Sequence, residues 1–225
     1  MGLTRKDRKQ LKPARPVDLS LYLVTDRSLA GRRPLTEVVR LAVAGGVTVV
    51  QLREKDCSSR EFLQLALALK KILPAEIPLI INDRLDVALA AEAAGVHLGQ
   101  SDLPVKVARK YLGRRAIIGL SVENLEQLEE AKDLPVDYLA ISPVFATPTK
   151  TDAGPAWGLA GLARARSLTS LPLVAIGGLN ENNVAEVIRA GADGVAVVSA
   201  ICAAPDPEKS ARRLRCLIDK ARQRK

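Results

Sequence analysis

Residues 79–100 read LIINDRLDVALAAEAAGVHLGQ. An apolar run, Leu79–Asn82, gives way to an Ala/Leu-rich run, Leu85–Ala94, and then to a second short apolar run, Val96–Leu98. Val87, Ala90, Ala91 and Ala94 fall on one helical stripe, so the middle run is a helix buried on one face. The flanking runs are too short for helices and predict strands. Two strands joined by a helix of this length are parallel, because a tight hairpin cannot connect them.

The same alternation runs through the whole chain. Strands are predicted at Leu21–Val24, Thr48–Leu52, Leu79–Asn82, Val96–Leu98, Ile117–Ser121, Tyr138–Ile141, Leu173–Ile176 and Gly194–Val198. Helices are predicted at Leu35–Ala44, Arg60–Leu73, Leu85–Ala94, Val105–Tyr111, Leu125–Lys132, Leu159–Leu168, Asn183–Ala190 and Glu208–Gln223. Gly45, Gly95 and Gly191 follow Ala-rich helices, where a left-handed cap needs no Cβ. Pro78, Pro135 and Pro172 precede strands, where a helix could not continue. Eight strand–helix repeats admit a closed (β/α)8 TIM barrel or an open doubly wound sheet. A dinucleotide-binding sheet wants Gly-x-Gly-x-x-Gly after its first strand, and here Val24-Thr-Asp-Arg-Ser stands there instead. The expectation is a single-domain α/β barrel over residues 17–225, preceded by a basic extension, residues 1–16.

Composition agrees with one packed domain. The 225 residues are 48% hydrophobic and only 3% aromatic, so the core is built from Val, Leu, Ile and Ala. The net charge of +9 is peripheral: residues 1–16 carry +5 and residues 208–225 carry +6, leaving −2 between them. No aromatics interleave with the charged tails, so they read as solvated ends rather than a nucleic-acid surface. No apolar stretch is long enough to span a membrane. Cys57, Cys202 and Cys216 form an odd set without zinc-ligand spacing, and the N-terminus has no apolar leader core; both point to a cytoplasmic protein with reduced thiols.

Barrel chemistry sits at the carboxyl ends of the strands. After strand two, Gln51, Arg53 and Lys55 share one side of an extended segment, with Leu52 opposite. An amide, a guanidinium and an ammonium suit a charged ligand; a solvated charged turn is the plainer reading. Strands three and four end in Asn82-Asp83 and Gly99-Gln100-Ser101-Asp102. Asp83 and Asp102 at one rim could hold Mg²⁺ with substrate oxygens, or each could cap a helix. His97, the one histidine, reads as packed within its strand, and no nucleophilic triad can be built on it. The loop after strand six, from Ser142 to Gly154, carries hydroxyls and Lys150, as ligand clamps do. Gly177-Gly178 and Val198-Ser199 end strands seven and eight, where backbone amides commonly cradle phosphate.

Taken together, Gln51–Lys55, Ile81-Asn-Asp-Arg, Gly95-Val-His-Leu-Gly-Gln, Thr147-Pro-Thr-Lys, Ala175-Ile-Gly-Gly and Gly191-Ala-Asp-Gly-Val-Ala-Val-Val-Ser resemble the thiamine phosphate synthase family over about residues 19–205. The resemblance implies an Mg²⁺-dependent transferase. It would condense 4-amino-2-methylpyrimidine-5-methyl diphosphate with a thiazole phosphate, releasing pyrophosphate by a dissociative route. It also implies that Gln51, Arg53, Lys55, Asn82, Ser121 and Lys150 bind the pyrimidine diphosphate, with Leu52 and Glu54 in the same segment. Arg53, Lys55, Lys150 and Ser121 would be catalytic, and Asp83 and Asp102 would hold the metal. Thr147, Pro148 and Thr149, with Gly178, Val198 and Ser199, would take the thiazole phosphate. Its partners are then small phosphorylated molecules, with no nucleic acid and no membrane. Glu123 stands where many relatives carry histidine, two residues after Ser121, and so departs from a thiazole tautomerase, the related barrel enzyme that is the alternative. A non-enzymatic binding barrel is the remaining one, and it would leave the polar strand ends unexplained.

Overall fold

Alternating side chains along short parallel strands sort the core into two layers, one inside a barrel and one beneath its helices. The structure is a computed structural model and describes residues 17–147 and 154–223. The strands are β1 (Leu21–Val24), β2 (Val49–Leu52), β3 (Leu79–Asn82), β4 (Gly95–Leu98), β5 (Ile117–Val122), β6 (Tyr138–Ile141), β7 (Leu173–Ile176) and β8 (Gly194–Val197). They pair in parallel in chain order and close through β1 and β8 into the expected (β/α)8 barrel. The helices among the described residues are α1 (Leu35–Ala44), α2 (Ser59–Ile72), α3 (Leu85–Ala90), α4 (Val105–Leu112), α5 (Leu125–Ala131), α6 (Gly158–Leu168), α7 (Val184–Arg189), α8 (Ser199–Cys202) and α9 (Pro207–Arg222).

Leu21, Leu23, Val50, Leu52, Ile81 and Leu98 face outward into the layer shared with the helices. Tyr22, Val49, Ile80, Ile117, Tyr138 and Val174 fill the barrel itself. Among the described residues no helix is long and apolar enough to cross a membrane. The three cysteines are free.

Several ends have identifiable causes. Ser58 and Glu61 form a capping box at the start of α2, and Asp206 caps α9 by accepting from the Lys209 amide, with Pro207 in the first turn. Two expected glycine caps are corrected. The helix α3 ends at Ala90 rather than Ala94 because Glu92 itself takes the left-handed position, at φ 47°. The amides of Glu92 and Ala93 then return to the carbonyls of Leu89 and Ala88, a Schellman closure. Gly95 is thereby released into β4. Gly45 is also right-handed, and the left-handed residue is Gly46; Gly45 serves close packing, since a Cβ there would lie 2.3 Å from the Glu208 carbonyl of α9. Gly191, at φ 118°, is the one that behaves as expected.

The helix α8 was not anticipated. Its four residues follow β8 directly, and α9 then returns across the outside of the barrel to pack on α1 and α7. Arg215 pairs with Asp18 ahead of β1, and Arg222 reaches Ser20 and the Asp193 carbonyl. The last helix therefore fastens the first strand to the last.

Candidate active site

A cavity of about 810 Å³ opens at the carboxyl ends of the strands, within the size range of small-molecule sites. Strand alternation decides who enters it. Gln51, Arg53 and Lys55 line it together, as their spacing implies. Leu52 is wholly buried in the outer layer, and Glu54 pairs with Arg27 at 2.7 Å. Neither Leu52 nor Glu54 lines the cavity. Burial pushes Glu54 above the usual carboxylate range despite the Arg27 guanidinium. The segment is held from below, where the Arg53 amide donates to Thr25 Oγ1.

Asp83 and Asp102 meet at the rim as expected. Asp83 sits at φ 61°, unusual for a residue with a Cβ, and its amide donates to the His97 carbonyl of the neighbouring strand. Its carboxyl is pushed up to about 7, first by burial and then by hydrogen bonding and repulsion from Asp102, against the opposing pull of Arg53. Asp102 also accepts from the Gly99 amide at 2.6 Å. Neither acid caps a helix: α3 follows Arg84 and α4 follows Pro104. Among the described residues no group of three His, Cys, Asp or Glu gathers. Two oxygen donors suit a hard cation that keeps waters and borrows substrate oxygens, not a tetrahedral zinc.

The pair has a measurable effect on stability. Asp83 titrates near 7 when folded and near roughly 4 when unfolded. The folded state then holds the extra proton between those values, so stability falls as pH rises through that window. Asp102→Asn should weaken this dependence, leaving the part that burial causes. In metal-free buffer its melting temperature should match the parent near pH 4 and exceed it by a few degrees at pH 8; equal melting at both pH values would mean the carboxyls do not interact.

The floor is polar. Asn82 and His97 are register partners, His97 pairs with Gly119, and Gly119 pairs with Tyr138, all on inward positions. His97 Nε2 lies 2.9 Å from Ser121 Oγ, and its Nδ1 lies 2.9 Å from the Tyr138 hydroxyl. The Tyr138 hydroxyl is 2.8 Å from that of Tyr22, which accepts from Gln51 Nε2 at 3.0 Å. Gln100 Nε2 donates to the Ser121 carbonyl at 2.5 Å. His97 is thus packed within its strand and also lines the cavity. Glu123 lines the cavity too.

The opposite wall comes from the ends of β7 and β8. Gly177 and Gly178 take φ 102° and 66°, and a Cβ on either would come within 2.8 Å of the loop that follows β6. The glycines relieve real crowding and also line the cavity. Val198 and Ser199 face them from the start of α8, which has no capping side chain. Thr147 lines the cavity at the end of the β6 loop; Pro148, Thr149 and Lys150 lie outside the described residues.

Sequence reasoning missed Tyr22 and Tyr138 as cavity residues. The available signal was their position: both occupy inward strand sites in a chain with only three tyrosines. It also missed α8, although an Ala-rich stretch ending at Pro205 marks room for a short helix.

Residues 21–201 match the family described as Thiamine monophosphate synthase. The chain is 61% identical over 202 residues to the thiamine-phosphate synthase of Albidiferax ferrireducens, covering 89% of this chain and 92% of that one. It is 54% identical over 200 residues to that of Vibrio parahaemolyticus, with 88% and 98% covered. In structure it resembles the thiamine phosphate pyrophosphorylase from Pyrococcus furiosus, with a TM-score of 0.83 and 38% identity over 92% of this chain and 98% of that one. On the match across the barrel, the chain belongs to the thiamine monophosphate synthase family.

Proposed function

We propose that this chain is a thiamine phosphate synthase, joining 4-amino-2-methylpyrimidine-5-methyl diphosphate to a thiazole phosphate with release of pyrophosphate. One observation carries the reading: a single cavity has a cationic and carboxylate rim over β2 to β4 and is lined over β7 and β8 by Gly177, Gly178, Val198 and Ser199. That arrangement suits two phosphorylated ligands held face to face.

Gln51, Asn82 and Ser121 would hold the pyrimidine, and Arg53, Lys55 and Lys150 its diphosphate. Gly178, Val198 and Ser199, with Thr147, Pro148 and Thr149, would take the thiazole phosphate. Asp83 and Asp102 would hold Mg²⁺, which when bound supplies charge neutralisation for the diphosphate. The bond between the pyrimidine methylene carbon and the diphosphate oxygen breaks first, and its electron pair leaves with pyrophosphate. The thiazole nitrogen then donates its own pair to the resulting cation. No protein nucleophile or general base is needed, so the chain's task is to place two ligands and to stabilise developing negative charge.

The test is direct. Purified chain given both substrates and Mg²⁺ should form thiamine phosphate and pyrophosphate in equal amounts, detected by liquid chromatography and a pyrophosphatase-coupled phosphate assay. Excess EDTA should abolish the reaction, and added Mg²⁺ should restore it. No product from both substrates would sink the proposal, and isomerisation of the thiazole without pyrophosphate would favour a tautomerase.

A further inference from the structure

The hydrogen bonds across the barrel floor form one continuous line: Gln51, Tyr22, Tyr138, His97, Ser121. Its two ends are residues that the proposed function places on the pyrimidine. The middle three have no role in that proposal. Tyr22 and Tyr138 are almost wholly buried, and desolvation raises both phenols far above their ordinary range, so each keeps its proton.

Counting protons from Gln51 Nε2, the donor at one end, gives the line its direction. Tyr22 accepts from Gln51 Nε2, and its own proton has one neighbour left to go to, the Tyr138 oxygen. Tyr138 must then pass its proton to His97 Nδ1. His97, accepting there, carries its single ring proton on Nε2 and donates it to Ser121 Oγ. If His97 were protonated on Nδ1 instead, Tyr138 would point its proton at Tyr22, and the buried Tyr22 proton would have no acceptor. Burying an unmet donor is costly, which disfavours that arrangement. The line could run the other way only if the Gln51 amide turned over, reversing all four bonds together.

We propose that this one-way line holds His97 as the neutral Nε2–H tautomer, and thereby sets Ser121 as a hydrogen-bond donor and Gln51 as an acceptor toward the ligand. Resting on the functional reading above, it makes the floor specific for the 4-amino form of the pyrimidine. The Gln51 carbonyl accepts from the exocyclic amine, and the Ser121 hydroxyl donates to a ring nitrogen. A 4-oxo analogue would set oxygen against oxygen at Gln51. Tyr22, Tyr138 and His97 are positioning residues, acting through Gln51 and Ser121. Gly119 makes room for the line, since a Cβ there would lie 2.1 Å from the Tyr138 ring and 2.6 Å from His97 Nδ1.

The chain has a single histidine, so ¹⁵N labelling of its imidazole gives an unambiguous spectrum of the full-length, untagged protein. At pH 7, without substrate, we expect a protonated Nε2 and an unprotonated Nδ1. A protonated Nδ1, alone or with Nε2, overturns the proposal. The second measurement is substrate choice. Tyr138→Phe removes one hydroxyl and keeps the ring; it should raise KM for the pyrimidine diphosphate roughly tenfold and leave the KM for thiazole phosphate unchanged. Its preference for the 4-amino substrate over the 4-oxo analogue should shrink by a similar factor, and its imidazole signals should shift toward a mixture of tautomers. Unaltered preference with an altered melting temperature would mean that the line is only structural. If the protein made no thiamine phosphate yet showed the Nε2–H tautomer, the functional reading would fail and the line would stand.

Discussion

Arg53→Ala is expected to lower kcat by 10²- to 10³-fold, about 2.7–4 kcal/mol of transition-state stabilisation. The guanidinium lines the cavity from the end of β2 and is close enough to Asp83 to oppose the rise in its proton affinity. In the proposed reaction negative charge on the diphosphate grows as the carbon–oxygen bond breaks, so a fixed cation at that place gains attraction during the step. Lysine at the same position keeps the charge and loses the planar fork, and should recover only part of the rate. Single-turnover quenching with saturating substrates separates this from binding. A variant with normal kcat and only a raised KM would mean that Arg53 holds the ground state.

The second large effect lies far from the cavity. The Arg109 side chain is buried on α4 and pairs with Asp137 at 2.7 Å, just before β6. Its other donors reach the carbonyls of Pro135, Gly113 and Ala116, and Asp137 also accepts from the Ile118 amide at the start of β5. Burial raises Asp137 above the usual carboxylate range, with the Ile118 amide and Arg109 pulling it back. Replacing one partner of a buried pair strands the other, at a cost of about 3–5 kcal/mol. Arg109→Met should lose that amount in urea unfolding, a large fraction of a domain's whole stability. Arg212→Ala, which removes the exposed partner of Glu208 on α9, should lose under about 0.5 kcal/mol. Equal losses in the two would show that the buried pair carries no special weight. The folded fraction of Arg109→Met should keep its turnover, because the residue does not line the cavity.

Much of this was readable before any coordinates. Four strands, β1, β3, β6 and β7, and one helix, α1, begin and end at the predicted residues, because each is an apolar or amphipathic run set off by glycine or proline or by an abrupt change of period. The rim residues Arg53, Asp83 and Asp102 were legible for the same reason: alternation and strand order place them without any knowledge of packing. Arg109 was not, since nothing in Val105–Leu112 distinguishes a buried arginine from a solvated one. The partnership of His97 was hidden more deeply. His97 and Tyr138 stand 41 residues apart, and what joins them is the missing Cβ of Gly119 on the strand between. A glycine inside a strand reads from sequence only as a weak point.

Consider finally the seam between β1 and β8, fastened by α9. Leu21 pairs with Val195, so β1, once made, must wait for β8. At the usual pace of about 5–20 residues per second, that interval is roughly 10–35 seconds. Throughout it one edge of β1 has no partner and the apolar face that α9 will cover stays open. Newly made chain is therefore more exposed to aggregation and to chaperones than its finished form, and a permuted version opened after β4 would move the unpaired edge to β5 without removing the wait.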